Sequence, residues 1–125
     1  DSKDVILPFA YSQALFAKWD YVESASVLRN AIEQLPPDKQ GVFYPRGLYK
    51  DDKELFEQID QLEGLAKKRS GDSDLRFLLG YHYLGTDEHE KARAQLESAA
   101  VDSENREAAK RLIEVLDKFS SDSKQ

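Results

Sequence analysis

The chain has 125 residues and a formal net charge of -6 at pH 7, a length that fits a single domain. The acidic balance argues against a nucleic-acid partner or an anionic membrane surface, because both require a basic face. There is no cysteine, which excludes disulfides and thiolate chemistry, and the most apolar stretch is too short to span a bilayer.

The first predicted helix covers residues 5–18, where apolar residues recur every three or four positions with small alanines between them. A turn over residues 19–21 leads into a second helix that continues to about residue 35. Pro36 ends this helix, because proline donates no backbone hydrogen bond. Residues 5–36 therefore predict a helical hairpin.

A broken, aromatic-rich segment follows at residues 38–50, where glycines and a proline oppose a regular helix. The segment is too apolar to lie free in solvent, so we expect it to rest on the protein. Helix resumes over residues 51–69, with carboxylates at its start and basic residues at its end, as the helix dipole favours. Residues 38–70 thus predict a hairpin whose first helix is irregular.

Residues 72–84 predict a helix with an acidic N-terminal cap, and residues 88–100 predict its partner after a short turn. Together, residues 72–103 form the third predicted hairpin. The last helix, residues 104–119, has one apolar and one strongly charged face, as a terminal capping helix requires. The tail, residues 120–125, is polar and is expected to fray.

A repeat of 34 residues underlies this order of elements. Three leucines mark it at equal spacing: Leu28, Leu62 and Leu96. The same register holds a second set: Leu15, Tyr49 and Tyr83. A helix–turn–helix unit of this length cannot bury its apolar face alone, so consecutive units stack. The repeat therefore predicts an all-α fold in which the three leucines lie between packed helices.

The third hairpin resembles the tetratricopeptide repeat signature at its usual offsets: Leu79, Gly80, Tyr83, Ala92, Leu96 and Ala99. The first hairpin is a weaker match, with Ser12 and Trp19 where the family has glycine. The middle hairpin keeps only the register and the apolar stripe of its second helix. The resemblance implies one domain over residues 1–125, a right-handed helical-hairpin solenoid of about three units with a C-terminal capping helix.

In the tetratricopeptide family the first helices of successive units line a concave groove that binds a protein or peptide. Carried onto this chain, the resemblance implies a partner-binding face: Phe9, Gln13, Phe16, Phe77, Tyr81 and Leu84. Such an apolar, aromatic wall would suit an amphipathic helix or an extended peptide. The family's basic, amide-rich site for chaperone tails is not expected here.

An alternative is that residues 42–49 lie in the groove and fill it from inside. The side chains of this segment that could bind a partner or fill the groove are Phe43, Tyr44, Arg46 and Tyr49. Arg46 either grips a carboxylate or stacks on a neighbouring tyrosine, or it bonds nearby loop carbonyls. With a filled groove the chain would be a structural segment of a longer protein or a self-associating domain.

No motif supports catalysis, and we expect no enzyme activity, metal or cofactor. His82 and His89 lack ligand spacing and are expected at the surface. Trp19 suits an interface, but packing over the neighbouring unit is the expected role. The chain has no methionine, so we expect a piece of a longer or processed protein, and nothing in it decides between cytoplasm and export.

Overall fold

The structure, a computed structural model, describes residues 2–36 and 44–123. Within these ranges the chain forms six α-helices and no strand, which confirms the all-α prediction. The helices are α1 (Ser2–Ala17), α2 (Tyr21–Glu33), α3 (Asp52–Lys68), α4 (Ser73–Gly85), α5 (His89–Ala99) and α6 (Ser103–Ser123). One 3-10 turn, Arg46–Leu48, precedes α3. The predicted bounds agree closely, except that α1 begins earlier and α6 continues further.

Side-chain caps set the starts of α3 and α4. The Asp51 carboxylate accepts a hydrogen bond from the backbone N of Lys53 at 3.0 Å. Asp72 accepts in the same way from the backbone N of Leu75 at 3.2 Å. Each cap satisfies an amide that has no partner within the helix. Because capping depends on neighbouring residues only, the sequence predicted both starts correctly.

The turns of the α1–α2 and α4–α5 hairpins share one backbone geometry. Among the described residues other than glycine, Trp19 (φ 65°) and Asp87 (φ 66°) have positive φ. In each turn the next residue donates its backbone N–H to the carbonyl five positions earlier, at 2.9 Å and 2.8 Å respectively. The two turns lie 68 residues apart (87 minus 19), which is twice the 34-residue period.

Small residues let the two helices of each hairpin cross closely. In the first hairpin Ser12 and Ser24 each donate from Oγ to the other's backbone oxygen at 2.8 Å. In the α4–α5 hairpin, a methyl group added at Gly80 would lie 2.5 Å from Cγ of Leu96. Ser12 and Gly80 are again 68 positions apart. The same repeat position therefore allows the two helices to approach closely in both hairpins. At Ser12 hydrogen bonds join the helices, and at Gly80 the absence of a side chain leaves room for Leu96.

The three repeat leucines, Leu28, Leu62 and Leu96, are fully buried, as the period predicts. They lie in α2, α3 and α5 respectively. Burying one leucine side chain contributes about 1.5–3 kcal/mol of stability. The repeated positions are thus the places where helices press on one another.

Helix α4 is enclosed at the centre of the molecule. All of its residues from Phe77 to Leu84 are buried. It packs most closely against α5, and also against α2, α3 and α6. A helix that is apolar around its whole circumference must be covered on every side. No side of this stretch is therefore left open as the wall of a groove.

The helices do not stack simply in chain order. A solenoid of successive units predicts that α2 packs on α3, but within the described ranges α2 packs mainly on α1, α4 and α6. Arg29 of α2 pairs with Asp74 of α4 at 3.3 Å, and Arg111 of α6 donates to the carbonyl oxygen of Ile32 at 3.1 Å. Between α2 and α3 the described residues 44–51 hold only the 3-10 turn, and α2 contacts α4 and α6 directly.

Candidate docking surface

The predicted inner face lies inside the core. Its six residues are at most 8% exposed: Phe9, Gln13, Phe16, Phe77, Tyr81 and Leu84. A partner cannot touch side chains enclosed in this way unless the fold rearranges. The expectation of an open concave groove is therefore corrected, because neighbouring helices and the irregular segment cover these positions.

Helices α1 and α4 meet through aromatic rings. Phe9 stacks on Tyr81 with ring centroids 6.4 Å apart, and Phe16 stacks on His82 at 4.0 Å. His82 is only 1% exposed, so the prediction that it lies at the surface is wrong. Burial lowers the pKa of His82 to about 3, which leaves its imidazole neutral at pH 7. A lone histidine carries no sequence signal of such burial.

Tyr44 covers this cluster from the irregular segment. Its ring makes an edge contact with Tyr81 at a centroid distance of 5.2 Å, and its hydroxyl lies 2.7 Å from Nδ1 of His82. Gly85 makes room for the ring, since a methyl group there would lie 2.5 Å from Cδ1 and Cδ2 of Tyr44. Burial raises the pKa of Tyr44 well above its usual value, so the hydroxyl keeps its proton.

Tyr49 extends the cover towards α1 and α3. Nε2 of Gln13 donates to the Tyr49 hydroxyl oxygen at 2.8 Å, and that hydroxyl donates to Oε1 of Gln58 at 2.6 Å. Tyr44 and Tyr49 thus occupy space that an open groove would leave to a partner. Phe43, the other aromatic side chain predicted for this role, lies outside the described residues.

Arg46 forms an ion pair with Asp52 near the surface. Its Nε and Nη2 donate to the two carboxylate oxygens at 3.0 Å and 2.6 Å. Its guanidinium carbon also lies 6.0 Å from the ring centroid of Phe56. The hydrogen bond between the partners raises the pKa of Arg46 and lowers that of Asp52. Of the predicted roles, Arg46 therefore grips a carboxylate, and the carboxylate belongs to its own chain.

In the described part of the chain, no three histidine or carboxylate side chains are grouped so as to hold a metal ion. None of the helices in residues 2–36 and 44–123 has the length and apolar character needed to cross a membrane. His89 is partly exposed and stacks on Phe119 with a centroid distance of 5.1 Å.

The outer side of α1 is apolar and exposed. No charged residue occurs from position 5 to position 17, although charged residues make up 34% of the chain. The largest side chains there, Ile6, Leu7 and Tyr11, are 41%, 62% and 57% exposed. We call the whole set the α1 face: Ile6, Leu7, Ala10, Tyr11 and Ala14. At about 100° per residue, the set covers roughly 140° of the helix circumference, which is as wide as a core-facing stripe.

Trp19 also faces solvent. It is 62% exposed, so most of the indole does not pack over a neighbouring unit as expected. Its indole Nε1 donates a hydrogen bond to Oε1 of Gln61 in α3, which ties the first turn to that helix. Val22, three positions later at the start of α2, is 70% exposed.

In comparisons with known proteins, no family model, curated protein or solved structure matches this chain. The α1 face was not predicted from the sequence, because the predicted partner-binding face lies on the side of this helix that carries Phe9, Gln13 and Phe16. The signal was present in the run from position 5 to position 17. A helix without charges on either side has no polar side to turn towards water.

Proposed function

We propose that the chain is a protein–protein interaction module built from tetratricopeptide-like hairpins, and that its partner docks on the α1 face. In this proposal α1–α2 and α4–α5 are the first and third units, α3 is the second helix of the middle unit, and α6 is the cap. The shared turn geometry of Trp19 and Asp87 supports this assignment. So does the small-residue crossing that recurs at Ser12 and Gly80.

The exposure of the α1 face is the observation that carries the docking role. Surface helices of globular proteins normally turn a polar side to water. Here Leu7 and Tyr11 instead expose 62% and 57% of their surface. Covering each 100 Å² or so of such apolar surface contributes about 2.5 kcal/mol. Contiguous exposed apolar patches mark interaction sites in soluble proteins, and an apolar helix face in a partner would complement this one.

The inner aromatic face supports folding in this proposal. Phe77 and Tyr81 are enclosed, and Tyr44 packs against the Tyr81 ring. Truncating a buried phenylalanine to alanine removes about 3–5 kcal/mol of stability. We therefore expect Phe77→Ala to destabilise the protein as a whole, without a selective loss of binding.

Photo-crosslinking in the native cells tests the docking role. A photo-reactive phenylalanine analogue replaces Tyr11 in the full-length protein, and the same analogue at Val101 serves as the control, because Val101 is 79% exposed and lies between α5 and α6. We expect a discrete product from position 11 that disappears when Leu7→Glu is added. No product from position 11, or the same product from both positions, would contradict the proposal.

The structural alternative predicts a different product in the same experiment. If the α1 face packs within a longer polypeptide, the crosslink from position 11 joins two parts of one chain and the product keeps the mass of a single chain. A product with the added mass of a second chain supports docking between molecules. Mass spectrometry of the purified product distinguishes the two results.

A further inference from the structure

We infer that a groove beside Trp19 binds an arginine side chain of a peptide in a partner protein. The groove has a volume of about 560 Å³ and lies between the turn of the α1–α2 hairpin, the C-terminal half of α3 and the start of α4. We call it the Trp19 groove, and its chemistry depends on six of the lining residues: Trp19, Asp20, Leu65, Arg69, Asp72 and Asp74. It shares no residue with the α1 face, so the inference goes beyond the function proposed above and does not depend on it.

The backbone at Trp19 indicates a role outside the fold. Its φ of 65° is in the left-handed region, where a large side chain is disfavoured. The α4–α5 hairpin makes the same turn with Asp87 at the equivalent position, and aspartate tolerates this conformation better. The turn therefore does not require tryptophan, and an exposed indole fills no space in the core. A strained residue that the fold does not need is evidence for a functional role.

A hydrogen bond fixes the indole of Trp19 and leaves its ring faces available. The bond from Nε1 to Oε1 of Gln61 uses an N–H group that lies in the plane of the ring. In the described residues, the cations that lie over aromatic rings do so at Phe56 and Tyr83 and not at Trp19. Indole is the side chain that attracts a cation to its face most strongly. A ring that is already oriented also loses less conformational entropy on binding.

Carboxylates outnumber basic groups in the Trp19 groove. Three aspartates line it, Asp20, Asp72 and Asp74, and the guanidinium among the lining residues is that of Arg69. Arg29 pairs with Asp74 at 3.3 Å, whereas Asp20 and Asp72 form no ion pair with a described residue. Asp72 uses one carboxylate oxygen to cap α4 and keeps its charge. Uncompensated carboxylates beside an indole are complementary to a cationic ligand.

Arginine fits this groove better than lysine. Its flat guanidinium stacks on an indole and can donate two hydrogen bonds to a neighbouring carboxylate, whereas lysine offers a compact charge. The half-buried Leu65 and the exposed Val22 give the groove an apolar part as well. In an extended peptide, side chains two positions apart lie on the same side. We therefore expect a ligand in which arginine and an apolar residue are separated by one position.

Fluorescence titration of the full chain tests the inference, because Trp19 is the only tryptophan and reports on its own groove. The probe is an acetylated alanine pentapeptide amide with arginine at its second position and leucine at its fourth. The control peptide has citrulline in place of arginine, which keeps the shape and removes the charge. We expect a saturable change in emission with a dissociation constant of about 0.1–1 mM for the arginine peptide. The citrulline peptide should bind about tenfold more weakly.

Variants of the protein locate the binding site. A fluorescein-labelled arginine peptide is followed by anisotropy, so that the loss of the indole does not remove the signal. Trp19→Asn and Asp20→Asn should each weaken binding about five- to tenfold. Glu114→Gln removes the same charge from α6, outside the groove, and should leave the dissociation constant within about twofold of the parent. Arg69→Gln removes a like charge and should strengthen binding about twofold. Thermal unfolding checks that every variant is folded.

Three results would overturn the inference. The first is an arginine peptide that does not bind, or that binds no better than the citrulline peptide. The second is a folded Trp19→Asn variant that binds as the parent does. The third is a peptide with glutamate in place of arginine that binds more tightly, because Arg69 would then select the ligand. None of these results changes the crosslink expected from position 11, so failure here is distinguishable from failure of the proposed function.

Discussion

The hydroxyl of Tyr44 lies 2.7 Å from Nδ1 of His82, and this contact joins the irregular segment to the central helix. Because burial lowers the pKa of His82 to about 3, the ring is neutral at pH 7 and its Nδ1 can accept a hydrogen bond from the Tyr44 hydroxyl. Apart from a single 3-10 turn, residues 44–51 form no regular helix. Through Tyr44, this irregular segment is nevertheless part of the core. Its removal would uncover the aromatic cluster between α1 and α4.

Gly85→Ala tests the seat of the Tyr44 ring. The added methyl group would lie 2.5 Å from ring carbons of Tyr44, so we expect the variant to lower the free energy of unfolding by about 1–3 kcal/mol. Urea denaturation measures the change. In a Tyr44→Ala background the ring is gone, and the same glycine substitution should then have little effect. Equal effects in the two backgrounds would show that Tyr44 does not occupy this site.

Two glycines within helices should respond to alanine with opposite signs. Gly64 in α3 has no atom within 4 Å of an added methyl group, so Gly64→Ala should raise stability by about 0.5–1 kcal/mol through helix propensity. At Gly80 the same methyl group would meet Leu96 at 2.5 Å, so Gly80→Ala should lower stability by about 1–3 kcal/mol. Thermal and urea unfolding of the pair provide the comparison. Changes of the same sign would argue against the close α4–α5 crossing.

Trp19 should be replaceable with a gain in stability. Its φ of 65° lies in the left-handed region, which disfavours large side chains and suits asparagine or glycine. Since the side chain is 62% exposed, little packing is lost on substitution, and the hydrogen bond to Gln61 that is lost lies at the surface. We expect Trp19→Asn to raise the free energy of unfolding by about 0.5–1 kcal/mol, while Lys18→Asn, the neighbouring control, changes it little. A marked destabilisation by Trp19→Asn would mean that the indole packs on the protein.

The neutral buried His82 makes stability depend on pH. Its pKa is about 3 in the folded protein and about 6.5 when unfolded, so the unfolded chain binds more protons between these values. The free energy of unfolding therefore keeps its full value above about pH 6.5 and falls as the pH is lowered. At pH 5 the loss amounts to roughly 2 kcal/mol. Urea unfolding from pH 5 to pH 7 should show this slope in the parent and in His89→Gln, and should lose most of it in His82→Gln.

Local patterns were sufficient for the helices and their turns. The caps at Asp51 and Asp72 followed from the sequence, because each depends on residues within one turn, and the burial of Leu28, Leu62 and Leu96 followed from their 34-residue spacing. The turns of the α1–α2 and α4–α5 hairpins lie 68 residues apart, which is twice the repeat spacing. The sequence did not reveal that His82 is buried or that Trp19 is exposed. Both depend on which neighbouring element covers the residue.

The three-dimensional arrangement alone decided how the hairpins meet. Periodicity states that a helix has an apolar side, but it does not state which element covers that side, since this depends on contacts between residues far apart in the chain. The contacts of α2 with α4 and α6, and the seat of Tyr44 at Gly85, arise in this way. As a result, the inner face predicted for a partner is part of the core, and the apolar surface left exposed on α1 is on the opposite side of that helix from Phe9 and Phe16.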